Sequence, residues 1–208
     1  MPIPYESDFG SGVVDVGLSS PRYRASILKS QLSGIDRALS REEGRAILAQ
    51  LPDQFVHEIK NALAPEWIRM PGGDCIAEAI LEVLGRERAV EFWRTQTLHF
   101  AELQIFRSFV KTLIRMLSTP ERLLKSVIHA ASLVTKDLGD QELTVGKTAR
   151  SAKFVVTNIP HSHRTEGRVA AWEGTFLGSF DLMNLPCKVK SDVRRLAGGK
   201  LRITIQWT

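Results

Sequence analysis

Residues 187–207 read CKVKSDVRRLAGGKLRITIQW. Cys187, Val189 and Val193 alternate with Lys188, Lys190 and Arg194. Leu201, Ile203, Ile205 and Trp207 alternate with Lys200, Arg202, Thr204 and Gln206. A period of two puts apolar side chains on one face of a strand and polar ones on the other. The stretch therefore predicts an antiparallel hairpin with one buried face, turning at Ala197-Gly198-Gly199.

Upstream, Val169 to Met183 has helical spacing, with Gly174 and Gly178 four apart, a spacing that suits close packing against the sheet. Before it, Leu143 and Val145, then Ala152, Phe154 and Val156, alternate as half-buried strands, closed by Asn158-Ile159-Pro160. His161 to Gly167 reads as a polar loop. The tail is thus β-β-α-β-β.

The first 139 residues follow the other period. Helical spacing starts at Tyr23 and continues through Leu28, Leu32, Ile35 and Leu39. Ser40-Arg41-Glu42-Glu43 is a capping box that opens a helix running to about Leu51. Asp53 is expected to cap the next, which buries Phe55, Val56, Ile59 and Leu63. Ala64 to Gly73 reads as a loop, and Asp74 as the cap of a helix that ends at Gly85. From Arg86 to Ser118 there is neither Gly nor Pro, and Phe106, Phe109, Val110, Leu113, Ile114 and Leu117 form one stripe. Thr119-Pro120-Glu121 restarts a helix with a hydroxyl cap and proline at its first position. About six helices followed by the β-β-α-β-β tail make an α+β fold. The expected layout is a loose arm over 1–21 and one domain over 22–208, with a helical lobe at 22–139 and a sheet lobe at 140–208.

Composition narrows the function classes. No apolar run is long enough for a bilayer-spanning helix, and the basic, apolar pattern of a signal peptide is missing at the start. Two distant cysteines, Cys75 and Cys187, suit free thiols in a reducing cytoplasm. The net charge of +5 is uneven: residues 141–208 carry 11 Lys/Arg against 5 Asp/Glu, whereas residues 1–140 carry 17 against 18. Positive charge concentrated on a sheet attracts anions such as phosphates, lipid heads or acidic protein faces.

The layout resembles a known family. The residues that carry the likeness are Pro65-Glu66-Trp67 with Pro71, the Leu84-Gly85-Arg86 step, the P-x-x-L-L pattern from Pro120 to Leu124, and the terminal Ile205-x-Trp207. Over roughly residues 28–207 the chain is similar to the large myxobacterial paralogous family of unknown function, whose members look like heme-free relatives of the heme–nitric oxide/oxygen binding (H-NOX) domain. The resemblance implies an H-NOX-like sensory or scaffolding module with a pocket between the lobes. In heme-binding relatives a histidine on a long helix ligates iron, and a Tyr-x-Ser-x-Arg motif holds the propionates. His99 is the counterpart of the first. The tyrosines, Tyr5 and Tyr23, both lie far ahead of the sheet lobe, so the second has no counterpart in the expected place. The resemblance thus implies a chain without a cofactor.

Few residues carry chemistry. His99 falls on the stripe of the long helix, with Glu102 one turn on as its partner, and Leu103 and Phe106 complete the ligand-pocket candidates. The reading favoured for His99 is a packing histidine satisfied by Glu102; the alternative is a heme or metal ligand oriented by that carboxylate. His161 and His163 are spaced to chelate but lack further ligands nearby, so a solvated loop is expected and no metal. The chain shows no G-x-S-x-G, Walker or dinucleotide pattern, and no catalytic residue is assigned. Gly72-Gly73-Asp74 is read as a structural cap. The alternation puts Lys188, Lys190, Arg194, Lys200 and Arg202 on one face without interleaved aromatics, which favours protection of the sheet over nucleic-acid binding. The function expected is a non-enzymatic regulatory or adaptor domain with a protein partner, tuned by a small ligand between the lobes. The rivals are a heme-based sensor on His99 and recognition of nucleic acid or anionic lipid by the basic face.

Overall fold

The computed structural model describes residues 20–102, 119–146 and 150–208, with only the backbone at 101 and 102. The residue range expected to form the loose arm therefore lies outside the described residues up to 19, as does the stripe from Phe106 to Leu117.

The elements run β1 (Arg22–Arg24), α1 (Ala25–Ala38), α2 (Arg41–Leu48), α3 (Asp53–Asn61), β2 (Trp67–Arg69), α4 (Cys75–Leu84), α5 (Arg86–Glu102), α6 (Pro120–Val134), β3 (Thr135–Lys136), β4 (Asp140–Val145), β5 (Ser151–Thr157), α7 (Glu166–Asp181), β6 (Cys187–Asp192) and β7 (Leu201–Trp207). This is an α+β fold with two antiparallel sheets, of order β2-β1-β3 and β4-β5-β7-β6.

Local chemistry explains most boundaries. Ser40 accepts from the Glu43 amide while the Glu43 carboxylate accepts from the Ser40 amide, so α2 starts on a complete capping box. Thr119 accepts from Arg122, and Pro120 occupies the first turn of α6. In the larger sheet Ala152, Phe154 and Val156 pair with Ile205, Ile203 and Leu201 on the inner face. They pack on Trp172, Phe176 and Phe180 of α7, with Leu123 and Leu124 of α6. A second core joins α1–α5, β1, β2 and the Ala170–Ala171 side of α7. The long helix α7 thus belongs to both cores and holds the lobes together.

Several local expectations are corrected. Tyr23 does not begin a helix: β1 pairs Tyr23 with Ile68 of β2 and Thr135 of β3, and β2 lies inside the stretch read as loop. Strands of two or three residues are too short for alternation to register. Asp53 lies inside α3, Pro52 holds its N-cap position, and no side chain caps it. Leu63 is not buried but 67% exposed, because α3 ends at Asn61 and Leu63 opens the following turn. At the far end β6 stops at Asp192, Val193 is 38% exposed, and a string of turns from Val193 to Lys200 replaces the tight glycine hairpin.

Gly174 and Gly178 do mark a close approach, but to α5 and not to the sheet. A Cβ at Gly174 would lie 2.4 Å from the Val90 carbonyl oxygen, and one at Gly178 would lie 2.5 Å from that of Arg94. The seam is flanked by ion pairs, Arg86 to Glu173 at 2.9 Å and Arg94 to Asp181 at 2.5 Å.

Candidate functional site

The first turns of α4 and α7 meet over β1, and four polar side chains converge there. Asp74 sits at the N-cap position of α4, yet its side chain makes no cap. Its carboxylate turns inward instead, accepting from the Arg168 guanidinium at 3.0 Å and from the Tyr23 hydroxyl at 3.2 Å. Asp74 is 3% exposed and Tyr23 is 1% exposed. Arg168 lies over the rings of Tyr23 and Trp172, at 5.7 and 5.2 Å from their centroids. Burial works against the Arg168 charge, but the neighbouring Tyr23 and Asp74 outweigh it and hold its pKa above the ordinary arginine value. Burial, reinforced by Asp74, raises the Tyr23 phenol well above its usual range.

His163 completes the cluster. The segment His161–His163 is a 3₁₀ turn and not a solvated strand-like loop, because Gly73 packs its backbone against Ser162 and draws the turn onto the core. His161 is exposed and His163 buried, so the two imidazoles do not face a common ion. The His163 ring stacks on Tyr23 at 6.2 Å, and its Nδ1 lies 3.1 Å from Ser162 Oγ. Burial pushes its pKa down to about 4, leaving the imidazole neutral at pH 7. Among the described residues, no three His, Cys, Asp or Glu side chains group as metal ligands.

A second contact closes the same junction. The Gly167 amide, an open donor in the first turn of α7, donates to the Glu78 carboxylate of α4 at 2.8 Å. Arg164 ties the β6–β7 connection to the end of β5, donating to the carbonyls of Ile159 and Ala197 at 2.8 and 2.9 Å. Sequence reasoning missed Tyr23, Asp74, His163 and Arg168 as a unit. One signal was present: Arg168 lies one turn before Trp172, on a side of α7 that is otherwise apolar, and a cation there requires a buried carboxylate.

The sequence-derived pocket candidates are only partly placed. His99 is half-buried near the end of α5. The side chain of Glu102 and all of Leu103 and Phe106 lie outside the described residues. The basic candidates lie along the β6–β7 edge of the larger sheet, with Lys188 opposite Gln206 at one end of the pair and Arg202 opposite Asp192 at the other. Lys188, Lys190 and Arg202 are exposed on its outer face, whereas Arg194 lies in the connection beyond β6 and Lys200 immediately precedes β7. A cleft of about 310 Å³ is lined by Asp192, Arg194, Arg195, Lys200 and Arg202. Arg194 forks onto Asp192 at 2.9 and 2.7 Å, holding that carboxyl well below its usual range and spending its own charge. Both thiols are half-buried, and burial pushes Cys75 up to about 12 and Cys187 to about 11, so neither is an activated nucleophile.

No family model matches the chain, and no curated protein does. Solved structures do. An Fe(II) unliganded H-NOX protein from K. algicida matches with a TM-score of 0.58 at 12% identity, over 89% of this chain and 96% of that one. The fold is that of the H-NOX domain. An oxygen-binding H-NOX domain related to soluble guanylate cyclases matches with a TM-score of 0.56 at 13% identity, over 89% and 95%. No helix among the described residues is long and apolar enough to cross a membrane.

The H-NOX fold raises the question of heme, and the described residues do not fit its carboxylates. Pro160-His161-Ser162-His163-Arg164 carries a Ser-x-Arg spacing like that of the propionate-holding motif, but with proline and not tyrosine two residues before the serine. Arg164 is engaged by two main-chain carbonyls. The chain's paired tyrosine and arginine, Tyr23 and Arg168, already grip a carboxylate of its own, that of Asp74.

Proposed function

We propose that the chain is a non-enzymatic regulatory or adaptor domain of the H-NOX fold that works through a protein partner and carries no heme. One observation supports this above others: the side chains suited to hold a carboxylate near the lobe junction hold Asp74. The junction then serves as a latch. Helix α7 is shared by both cores, and its first turn is tied to α4 by Asp74–Arg168 and Glu78–Gly167. A partner or small ligand that binds one arrangement of the lobes better than another biases the junction by that difference in affinity.

The test is spectroscopic. Full-length protein expressed with ample heme is expected to be colourless, and added hemin to give no stoichiometric, saturable Soret band. A stoichiometric band that disappears in His99→Ala would overturn the reading in favour of a heme-based sensor. For the partner, affinity capture with wild-type protein and with Arg168→Met is expected to yield a specific companion whose recovery depends on the latch.

A further inference from the structure

We propose that the outer face of the small β2-β1-β3 sheet, with the turn beside it, docks the protein on an anionic membrane surface. The pleat sets the arrangement. Tyr23 and Ile68 point into the core, so Arg22, Arg24, Trp67, Arg69 and Lys136, which pair with one another across the strands, point outward. Four cations and one indole share this face, although residues 1–140 as a whole are slightly acidic.

Little of that charge is neutralised. Arg22 pairs with Asp137 at 2.9 Å. No carboxylate among the described residues pairs with Arg24, Arg69 or Lys136. The Arg24 guanidinium lies 4.0 Å from the centre of the Trp67 ring and the Lys136 ammonium 4.5 Å from it, so the indole fixes both cations at the surface. Arg24 is held further by the Pro65 carbonyl.

Beside this face stands an apolar tip. The turn from Leu63 to Glu66 is closed by the Glu66 amide on the Leu63 carbonyl, and Leu63, Ala64 and Pro65 are all exposed. The tip is strapped to the start of α1 by Ser26 donating to Ala64 and Ala25 donating to Glu66. Lys29 and Lys60 flank it, joined through Lys29 Nζ on the Lys60 carbonyl at 3.0 Å. The Glu66 carboxylate accepts from the Leu63 amide at 2.9 Å and so sits within the turn as its one anion. An exposed apolar tip beside this cationic face, with an indole among the cations, matches the chemistry of a lipid headgroup layer. Single-stranded nucleic acid fits less well, because the Trp67 ring already carries cations where a base would stack.

Co-sedimentation of the full chain with phosphatidylcholine vesicles, with and without phosphatidylserine, tests the proposal. Binding is expected only with phosphatidylserine, weakening as salt rises. Each removed cation is expected to weaken it roughly fivefold, so Arg69→Glu with Lys136→Glu, both exposed and off the core, abolishes it. Leu63→Asp, at an open turn position, weakens it without removing a cation and guards against misfolding of the double variant. Reversing Lys188, Lys190 and Arg202 on the other sheet leaves it unchanged. Equal binding to both vesicle types, binding that survives the Arg69/Lys136 reversal, or binding lost with the Lys188 face overturns the proposal. So does single-stranded DNA bound as tightly as the acidic vesicles through these same residues.

Discussion

Replacing Arg168 with methionine keeps the packing length of the side chain and removes its charge. It leaves Asp74 ionised in a site where the residue is 3% exposed, with the Tyr23 hydroxyl as its remaining partner at 3.2 Å. Removing one member of a buried ion pair costs about 3–5 kcal/mol, because the survivor is uncompensated. For a domain of this size each kcal/mol moves Tm by about 2–4 °C, so a fall of about 6–20 °C is expected. Asp74→Asn is expected to cost less, about 1–3 kcal/mol. It keeps an acceptor for Tyr23, and the Arg168 side chain, 14% exposed, retains its ring contacts and some access to water. The two together should cost less than their sum by about 1–3 kcal/mol, since neither charge is then stranded. Urea titrations of all four proteins supply the cycle. Strict additivity, or a cost below about 1 kcal/mol for Arg168→Met, would show that the pair is solvated and the latch absent.

His163 gives a pH signature. Its folded pKa of about 4 lies below the unfolded value of about 6.5, so its stabilisation is full above pH 6.5 and is lost as pH falls toward 4. The loss amounts to about 3 kcal/mol, and His163→Phe, which keeps the stack on Tyr23, should flatten stability over that window relative to wild type. A parallel decline in the variant refutes the assignment. Gly174→Ala drives a methyl to 2.4 Å from the Val90 oxygen and should cost more than about 2 kcal/mol in a thermal melt. Gly44→Ala, whose nearest neighbour would be the Ile35 side chain at 3.5 Å, should be neutral or stabilise by up to about 1 kcal/mol. Reversing Lys188, Lys190 and Arg202 to Glu should shift stability by no more than about 0.5 kcal/mol per site, because their side chains are exposed. Unfolding by that change would mean the face is covered.

What could be read in advance follows from the range of the forces involved. The capping box at Ser40 and the Thr119-Pro120 start are settled within four residues, and the structure repeats them. The alternation of Ala152, Phe154 and Val156 against Leu201, Ile203 and Ile205 marks the inner face of the sheet because both strands are long enough to show their period. Gly174 and Gly178 announced a near neighbour but not which one, since a helix and a sheet make the same demand for space. Asp74 looked like a local cap, and a guanidinium 94 residues away redirected it. The Tyr23–Asp74–His163–Arg168 cluster draws on four separate segments, and no local pattern links them. Of the candidates, the exposed Lys188, Lys190 and Arg202 were legible from alternation; Arg194 was not, because its strand stops early at Asp192.

The small sheet also sets an order of events. Strand β1 is complete at residue 24, yet its second neighbour, β3, lies at Thr135–Lys136, and Arg22 meets Lys136 across a span of more than 110 residues. Closing so long a loop costs entropy that no local contact returns, and pairings of this kind slow folding. On the ribosome, helices α1 to α5 emerge before the strand that completes their sheet exists. A fragment ending before residue 135 therefore carries β1 with one side unpaired, an open template for another chain. Burst-phase refolding of the full chain should show helix forming ahead of the slow step that seats β3, and fragments cut at that point should self-associate.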